Sequence, residues 1–163
     1  MAQNVVDTSN LPQINDARVV VLTSKWYDEL VRSLHDRCVG VLNDNGVIDV
    51  TSHTLPGCLE FPYAANELVR HDPDIDAIVC LGVVLKGDTM HFEMIIDEVV
   101  RGLGEVSRLG RVPIINEILP VSDLSQAQSR AADDELNKGI EAAVAAIEII
   151  AWRRELQKPS HPQ

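Results

Sequence analysis

The sequence predicts an α/β fold, a four-stranded parallel sheet with helices on both faces, and two observations carry that prediction. Four short runs rich in β-branched residues alternate with stretches whose apolar residues recur at three- and four-residue spacing. The strongest runs, at 18–23 and 75–85, are apolar at consecutive positions, as strands covered on both faces require. Such alternation implies right-handed crossovers, and four strands suggest the order 2-1-3-4 of a flavodoxin-like three-layer sandwich.

RVVVLT at 18–23 reads as the first strand. Behind it Tyr27, Leu30, Val31, Leu34, Cys38, Val41 and Leu42 fall on one helical stripe, with Ser24 as the expected N-cap and Gly46 as the stop. VIDVTSHT at 47–54 is a more polar strand, Pro56-Gly57 a turn, and 59–71 a short helix with Pro62 near its first turn. IDAIVCLGVVL at 75–85 is the most apolar strand. From Met90 a second helical face, Phe92, Ile95, Ile96, Val99, Val100, Leu103 and Val106, runs to about Leu109, with Glu93, Asp97 and Arg101 on an exposed face. VPIINEIL at 112–119 supplies the fourth strand. Asp123 to Ala131 form a short helix opened by Ser122, and Gly139 to Leu156 a long closing helix.

One domain of residues 17–157 is expected, because a chain of 163 residues that is 45% apolar can bury roughly two thirds of its unfolded surface without a metal or disulfide. Residues 1–16, polar and aperiodic with Pro12, read as a flexible arm or an edge strand lent to a neighbour, and 158–163 as a disordered tail. The net charge of -11 argues against nucleic acid or an anionic membrane as partner. Cys38, Cys58 and Cys80 are widely spaced and odd in number, which reads as three reduced thiols in a cytoplasmic protein. The N-terminal residues carry no secretory pattern, and no apolar run approaches the roughly 20 residues of a membrane span.

Open α/β sheets bind ligands at the carboxyl ends of their strands. There the chain carries Trp26 after the first strand, Gly57 to Glu60 after the second, Lys86 to His91 after the third and Glu117 to Pro120 at the fourth. GVVLKGD at 82–88 nearly spells a phosphate loop, but Asp88 stands where the lysine belongs. Gly87 permits a tight turn, and the amides that follow open a helix, so Gly87, Asp88 and Thr89 suit one small phosphate; an ordinary strand-to-helix turn has the same spacing. His91 in the first helical turn suits a proton acceptor, or simply a surface or capping residue. Trp26 can stack on a planar ring or serve as packing. Arg130 and Lys138 are two cations close in sequence, able to neutralise a phosphate or stand in solvent as a pair. No His/Cys spacing suggests zinc.

In order, LPGCLEFPYAANEL, DAIVCLGVVLKGDTMHFEMI, VPIINEIL, QAQSRA and NKGIEAAVAAIEI resemble the lumazine synthase family from about Arg18 to Leu156. That resemblance implies condensation of 5-amino-6-(D-ribitylamino)uracil with 3,4-dihydroxy-2-butanone 4-phosphate to 6,7-dimethyl-8-ribityllumazine, the penultimate step of riboflavin biosynthesis, without metal or organic cofactor. It implies His91 as the proton-transfer residue and Gly87, Asp88, Thr89 and Arg130 around the phosphate. Trp26, Gly57, Cys58, Leu59, Glu60, Val83, Val84, Leu85, Asn116 and Lys138 would hold the pyrimidine and its ribityl chain. It further implies a homopentamer whose sites combine two subunits, with riboflavin synthase as a pathway partner. Some members form icosahedral shells of twelve pentamers; the acidic link AADDELNKG lacks the glycine-containing segment common in shell formers, which favours the free pentamer.

Asn116 stands where many members have a stacking phenylalanine, Glu117 replaces a common glycine, Leu59 a common aromatic and Pro120 a common threonine. One lost stacking partner costs on the order of 1 kcal/mol of ring binding. The changes at Asn116, Glu117 and Pro120 motivate an alternative expectation, a non-catalytic flavin- or lumazine-binding paralogue.

Overall fold

A computed structural model describes residues 4–158. The start of the expected arm, residues 1–3, and all but the first residue of the expected tail, 159–163, lie outside the described residues. The apolar runs become β1 (Arg18–Ser24), β2 (Asp49–Leu55), β3 (Ala77–Leu85) and β4 (Ile114–Val121), paired in parallel in the order β2-β1-β3-β4 that the sequence suggests. Val19 lies between Val50 and Ala77, and Val83 beside Leu119. β1 and β3 occupy the middle, and all their residues except Arg18 and Leu85 at the ends are buried. β2 is an edge strand and largely exposed, which accounts for the polar TSHT segment.

Successive strand residues point to opposite faces, so each central strand feeds two cores. Val19, Val21, Val79 and Leu81 pack beneath α1 (Asp28–Asp44) and α5 (Lys138–Leu156), against Leu34, Cys38, Ala142 and Ile147. Val20, Leu22, Ile78 and Cys80 face α2 (Phe61–His71) and α3 (His91–Arg108), against Phe61, Ala65, Val99 and Leu103. The short α4 (Leu124–Arg130) adds Ala127 to the first core. Within residues 4–17 no helix or strand forms, but Ile14 is buried in the first core and its amide donates to the Asn45 carbonyl at 3.0 Å.

Both expected serine caps are corrected. Ser24 is the last residue of β1 and fully buried; α1 begins four residues later behind Tyr27, whose left-handed backbone (φ 60, ψ 44) turns the chain into the helix. Asp123, not Ser122, caps α4 by accepting from the Ser125 amide at 2.7 Å, while Ser122 bonds to Gln126. Gly46, at φ 90, ends α1 as expected. Val100, assigned to the apolar face of α3, is 51% exposed because it points away from the sheet. Arg101 pairs with Glu98 and Glu105, and Glu93 reaches back to Lys86.

Helices α1 and α5 cross so closely that a Cβ on Gly139 would lie 1.9 Å from the Leu34 carbonyl oxygen. Asn137, fully buried, sets this junction: its side-chain oxygen accepts from the Gly139 amide at 2.8 Å, and its nitrogen donates to the Ala132 carbonyl at 2.7 Å and Ser33 Oγ at 3.2 Å. Gly139→Ala must push two helices apart against a close-packed core. We expect a loss of about 1–3 kcal/mol, read as a lower midpoint in denaturant unfolding with unchanged slope.

Candidate functional site

The polar turns that leave β1, β2 and β3 meet in a cleft of about 520 Å³. Trp26 and Tyr27 follow β1 on one side. Pro56 to Glu60 follow β2, with Cys58–Glu60 wound into one 3₁₀ turn. Val83, Val84 and Leu85 form the apolar end of β3, and His91 and Ile95 of α3 close the far wall. The structure thus gathers Trp26, Gly57, Cys58, Leu59, Glu60, Val83, Val84, Leu85 and His91, far apart in sequence. Tyr27 and Ile95 were missed as lining residues, because each also belongs to an apolar helix stripe that reads as core.

Close packing shapes the floor and one wall. A Cβ on Gly82 would lie 2.5 Å from Cys58 Sγ and 3.2 Å from Ser24 Oγ, so bare backbone in β3 is what lets the 3₁₀ turn seat against the sheet. Burial pushes the Cys58 thiol up to about 11, with the Ser24 hydroxyl opposing and the Glu60 charge adding, so this sulfur is a neutral apolar surface and not a nucleophile. The buried Ser24 hydroxyl makes no hydrogen bond of ordinary geometry among the described residues, and the adjacent sulfur is a weak partner. Cys38 is likewise raised, to about 12, by burial. At the wall, a Cβ on Gly57 would touch Glu60 Oε2 at 3.3 Å and the Trp26 ring at 3.6 Å. The indole and the carboxylate therefore converge on the same glycine, with Trp26 still 69% exposed and free to receive a flat ligand.

Beside the cleft, Gly87, Asp88 and Thr89 form the exposed loop before α3. The His91 amide points to Thr89 Oγ1 at 3.4 Å, so the hydroxyl and the first amides of an 18-residue helix lie together. Such a helix start favours an anion. The expected tight turn at Gly87 is corrected: its φ is not left-handed, and an added Cβ would meet no described atom within 4 Å. The loop stands open to solvent, so nothing within the chain demands glycine there. Lys86, the nearest cation in sequence, turns away to Glu93 at 2.8 Å and stands 5.9 Å from the Phe92 ring.

Asn116, Arg130 and Lys138 are not on this cleft. Asn116 sits on β4, where its side-chain oxygen accepts from the Ile118 amide at 3.2 Å. Arg130 ends α4 and donates to the Gln126 carbonyl at 2.9 Å. Lys138 starts α5 and pairs with Glu141 at 2.5 Å. A second recess, about 540 Å³ between β2 and α2, holds His53, Glu67 and His71, but it lies along the sheet edge and no helix starts in it. Among the described residues no group of three or more His, Cys, Asp or Glu is arranged to hold a metal.

Residues 16–154 match the sequence family described as 6,7-dimethyl-8-ribityllumazine synthase. The chain belongs to the lumazine synthase family. It is 38% identical to the 6,7-dimethyl-8-ribityllumazine synthase of Nitrobacter hamburgensis over 150 residues, covering 89% of this chain and 91% of that one. The Xanthobacter autotrophicus protein of that name is 38% identical over 156 residues, 93% of each chain, and that of Saccharopolyspora erythraea 33% identical over 151, 91% of this chain and 90% of the other. The flavodoxin-like sandwich expected for the family is the fold observed.

The packing of Cys58 on Gly82 is directly testable. Gly82→Ala should lower the thermal midpoint by the equivalent of about 1–3 kcal/mol, and adding Cys58→Ala should recover most of the loss by removing the atom in the way. Equal losses in the single and double variants would show that the strain lies elsewhere.

Proposed function

We propose that the protein condenses 5-amino-6-(D-ribitylamino)uracil with 3,4-dihydroxy-2-butanone 4-phosphate to give 6,7-dimethyl-8-ribityllumazine, one phosphate and two waters. The observation that carries this reading is the cleft in which an exposed indole, an apolar strand end and a histidine at a helix start surround one volume. The uracil ring stacks on Trp26 above Val83 to Leu85, while the ribityl chain runs along the Gly57 to Glu60 turn and reaches the Glu60 carboxylate. The butanone phosphate binds the loop of Gly87, Asp88 and Thr89 at the start of α3, where backbone amides and Thr89 donate to it.

The 5-amino group attacks the ketone, and loss of water gives an imine. Elimination then releases phosphate, and closure of the second ring by the ribityl-bearing nitrogen releases another water. His91 moves protons in these steps, and holding two reactants in one cleft supplies much of the acceleration. Among the described residues the cation nearest the phosphate seat in sequence, Lys86, is engaged by Glu93, so the seat calls for a cation from elsewhere. A homopentamer answers this need: Arg130, Lys138 and Asn116 of an adjacent subunit complete the site from the far side. In this reading the chain is one domain, residues 17–157, that works in the cytoplasm. The three buried free cysteines support that compartment, and among the described residues no helix is long and apolar enough to cross a membrane.

Purified protein given both substrates should form the lumazine faster than the uncatalysed mixture, followed by absorbance. His91→Ala should lower kcat by roughly 10²-fold, the low end for general acid–base assistance because orientation remains. Product formation no faster than in buffer would end this reading.

A further inference from the structure

His35 on α1 reaches across to the edge strand β2. Its Nε2 lies 2.8 Å from Ser52 Oγ, and its Nδ1 lies 3.0 Å from a carboxylate oxygen of Asp36. A carboxylate only accepts, so in the neutral ring the proton sits on Nδ1 and the Nε2 lone pair faces the serine hydroxyl. A hydroxyl on a basic ring nitrogen, with the ring oriented by a carboxylate, is the arrangement that turns serine into a nucleophile. Arg32, one turn before Asp36 on α1, pairs with Asp28 instead. His53 is no rival base: it is in register with Leu22 and faces α2, whereas Ser52, in register with Val21, faces α1.

The strand supplies the other half of such a site. The Lys25 amide donates to the Leu55 carbonyl at 3.0 Å, so β2 residues in phase with Leu55 turn their backbone groups to β1. Ser52 is out of phase and turns its amide to the open edge, where it can receive an oxyanion formed at its own side chain. The same edge borders the recess of about 540 Å³ that Ser52 lines, and there Leu55, Ala64 and Leu68 offer apolar surface to a short acyl chain. Ser52 is exposed and His35 half-buried, so a reactant reaches the hydroxyl while the ring keeps its place.

We propose that Ser52, His35 and Asp36 form a second reactive site, apart from the cleft, that takes the acyl group of small esters. Ser52 Oγ attacks the ester carbonyl carbon while its proton passes to His35 Nε2, and the carbonyl oxygen, now negative, accepts from the Ser52 amide. As the tetrahedral adduct collapses, the bond from carbon to the leaving oxygen breaks. The proton on Nε2 goes to that oxygen, which departs as an alcohol or phenol and leaves Ser52 acylated. Water then attacks the acyl-serine with His35 again as base, releasing a carboxylic acid and restoring the hydroxyl. Asp36 is a positioning residue, holding the ring in the tautomer that leaves Nε2 free to accept.

The test treats intact protein with p-nitrophenyl acetate at about pH 8, where imidazole is ordinarily neutral, and locates the acetyl group by peptide mass spectrometry. In native protein it should appear on Ser52 as nitrophenol is released, and His35→Gln should slow acetylation of Ser52 by roughly 10²-fold. Acetyl groups confined to lysines, or acetylation of Ser52 at the same rate in His35→Gln, overturn the proposal. A second measurement needs no ester. The imidazole ¹⁵N resonances should show His35 as the Nδ1–H tautomer in native protein and lose that preference in Asp36→Asn, whose Ser52 should be acetylated roughly tenfold more slowly. An Nε2–H tautomer in native protein, or an unchanged ring in Asp36→Asn, also overturns it. Neither readout depends on lumazine formation.

Discussion

Burial of β1 and β3 on both faces is the constraint from which the remaining structure follows. Two strands that show almost nothing to water require two apolar layers, and the α1/α5 and α2/α3 pairs are those layers. Polar chemistry can then emerge only where the strands end. At the amino end, Arg18 is gripped by Asp49 and Asp72, each at 3.0 Å, and its amide by Asp76 at 2.9 Å, which ties the strand starts together. At the carboxyl end the turns splay around Trp26, Gly57 and His91, and the cleft opens. The same sheet thus separates an end that holds from an end that binds.

Shape in the cleft comes from missing atoms as much as from present ones. Gly82 lets a sulfur rest on backbone, Gly57 lets an indole and a carboxylate approach each other, and Gly139 lets two helices cross. The contacts at Gly82 and Gly139 are interior contacts, made with a turn and at a helix start. These positions can hold a site rigid because their neighbours have nowhere to relax, and that rigidity is what orienting two reactants demands.

The fold was legible because its main signals are long and redundant. Consecutive apolar residues at 77–85 and the stripe from Val31 to Leu42 each repeat one instruction many times, so strand order and layers are legible in the sequence. Most of the cleft was legible for a related reason, since residues after parallel strands must gather at one end. Single-residue geometry was not. Ser24 and Ser122 carry good capping side chains, but burial of Ser24 and the nearer Asp123 decide the caps, and Gly87 occupies a place where its freedom is unused. Glu117 had a signal in the pattern of Ile115 and Leu119, a charged residue in phase with the core. The helix it faces, α5, lies more than twenty residues away in sequence, and only the packing of α5 on β4 brings the two together.

Tyr27 connects these themes. Its backbone takes a conformation that suits asparagine or glycine, while its ring packs against the α1/α5 core and borders the cleft. Backbone and side chain therefore ask for different residues at one position. Over evolutionary time such a position drifts poorly by single steps: a residue that relaxes the turn empties the core, and one that fills the core keeps the strain. Change at 27 should come paired with enlargement of a neighbour such as Leu30, which makes the entrance to α1 a place where related chains diverge together or not at all.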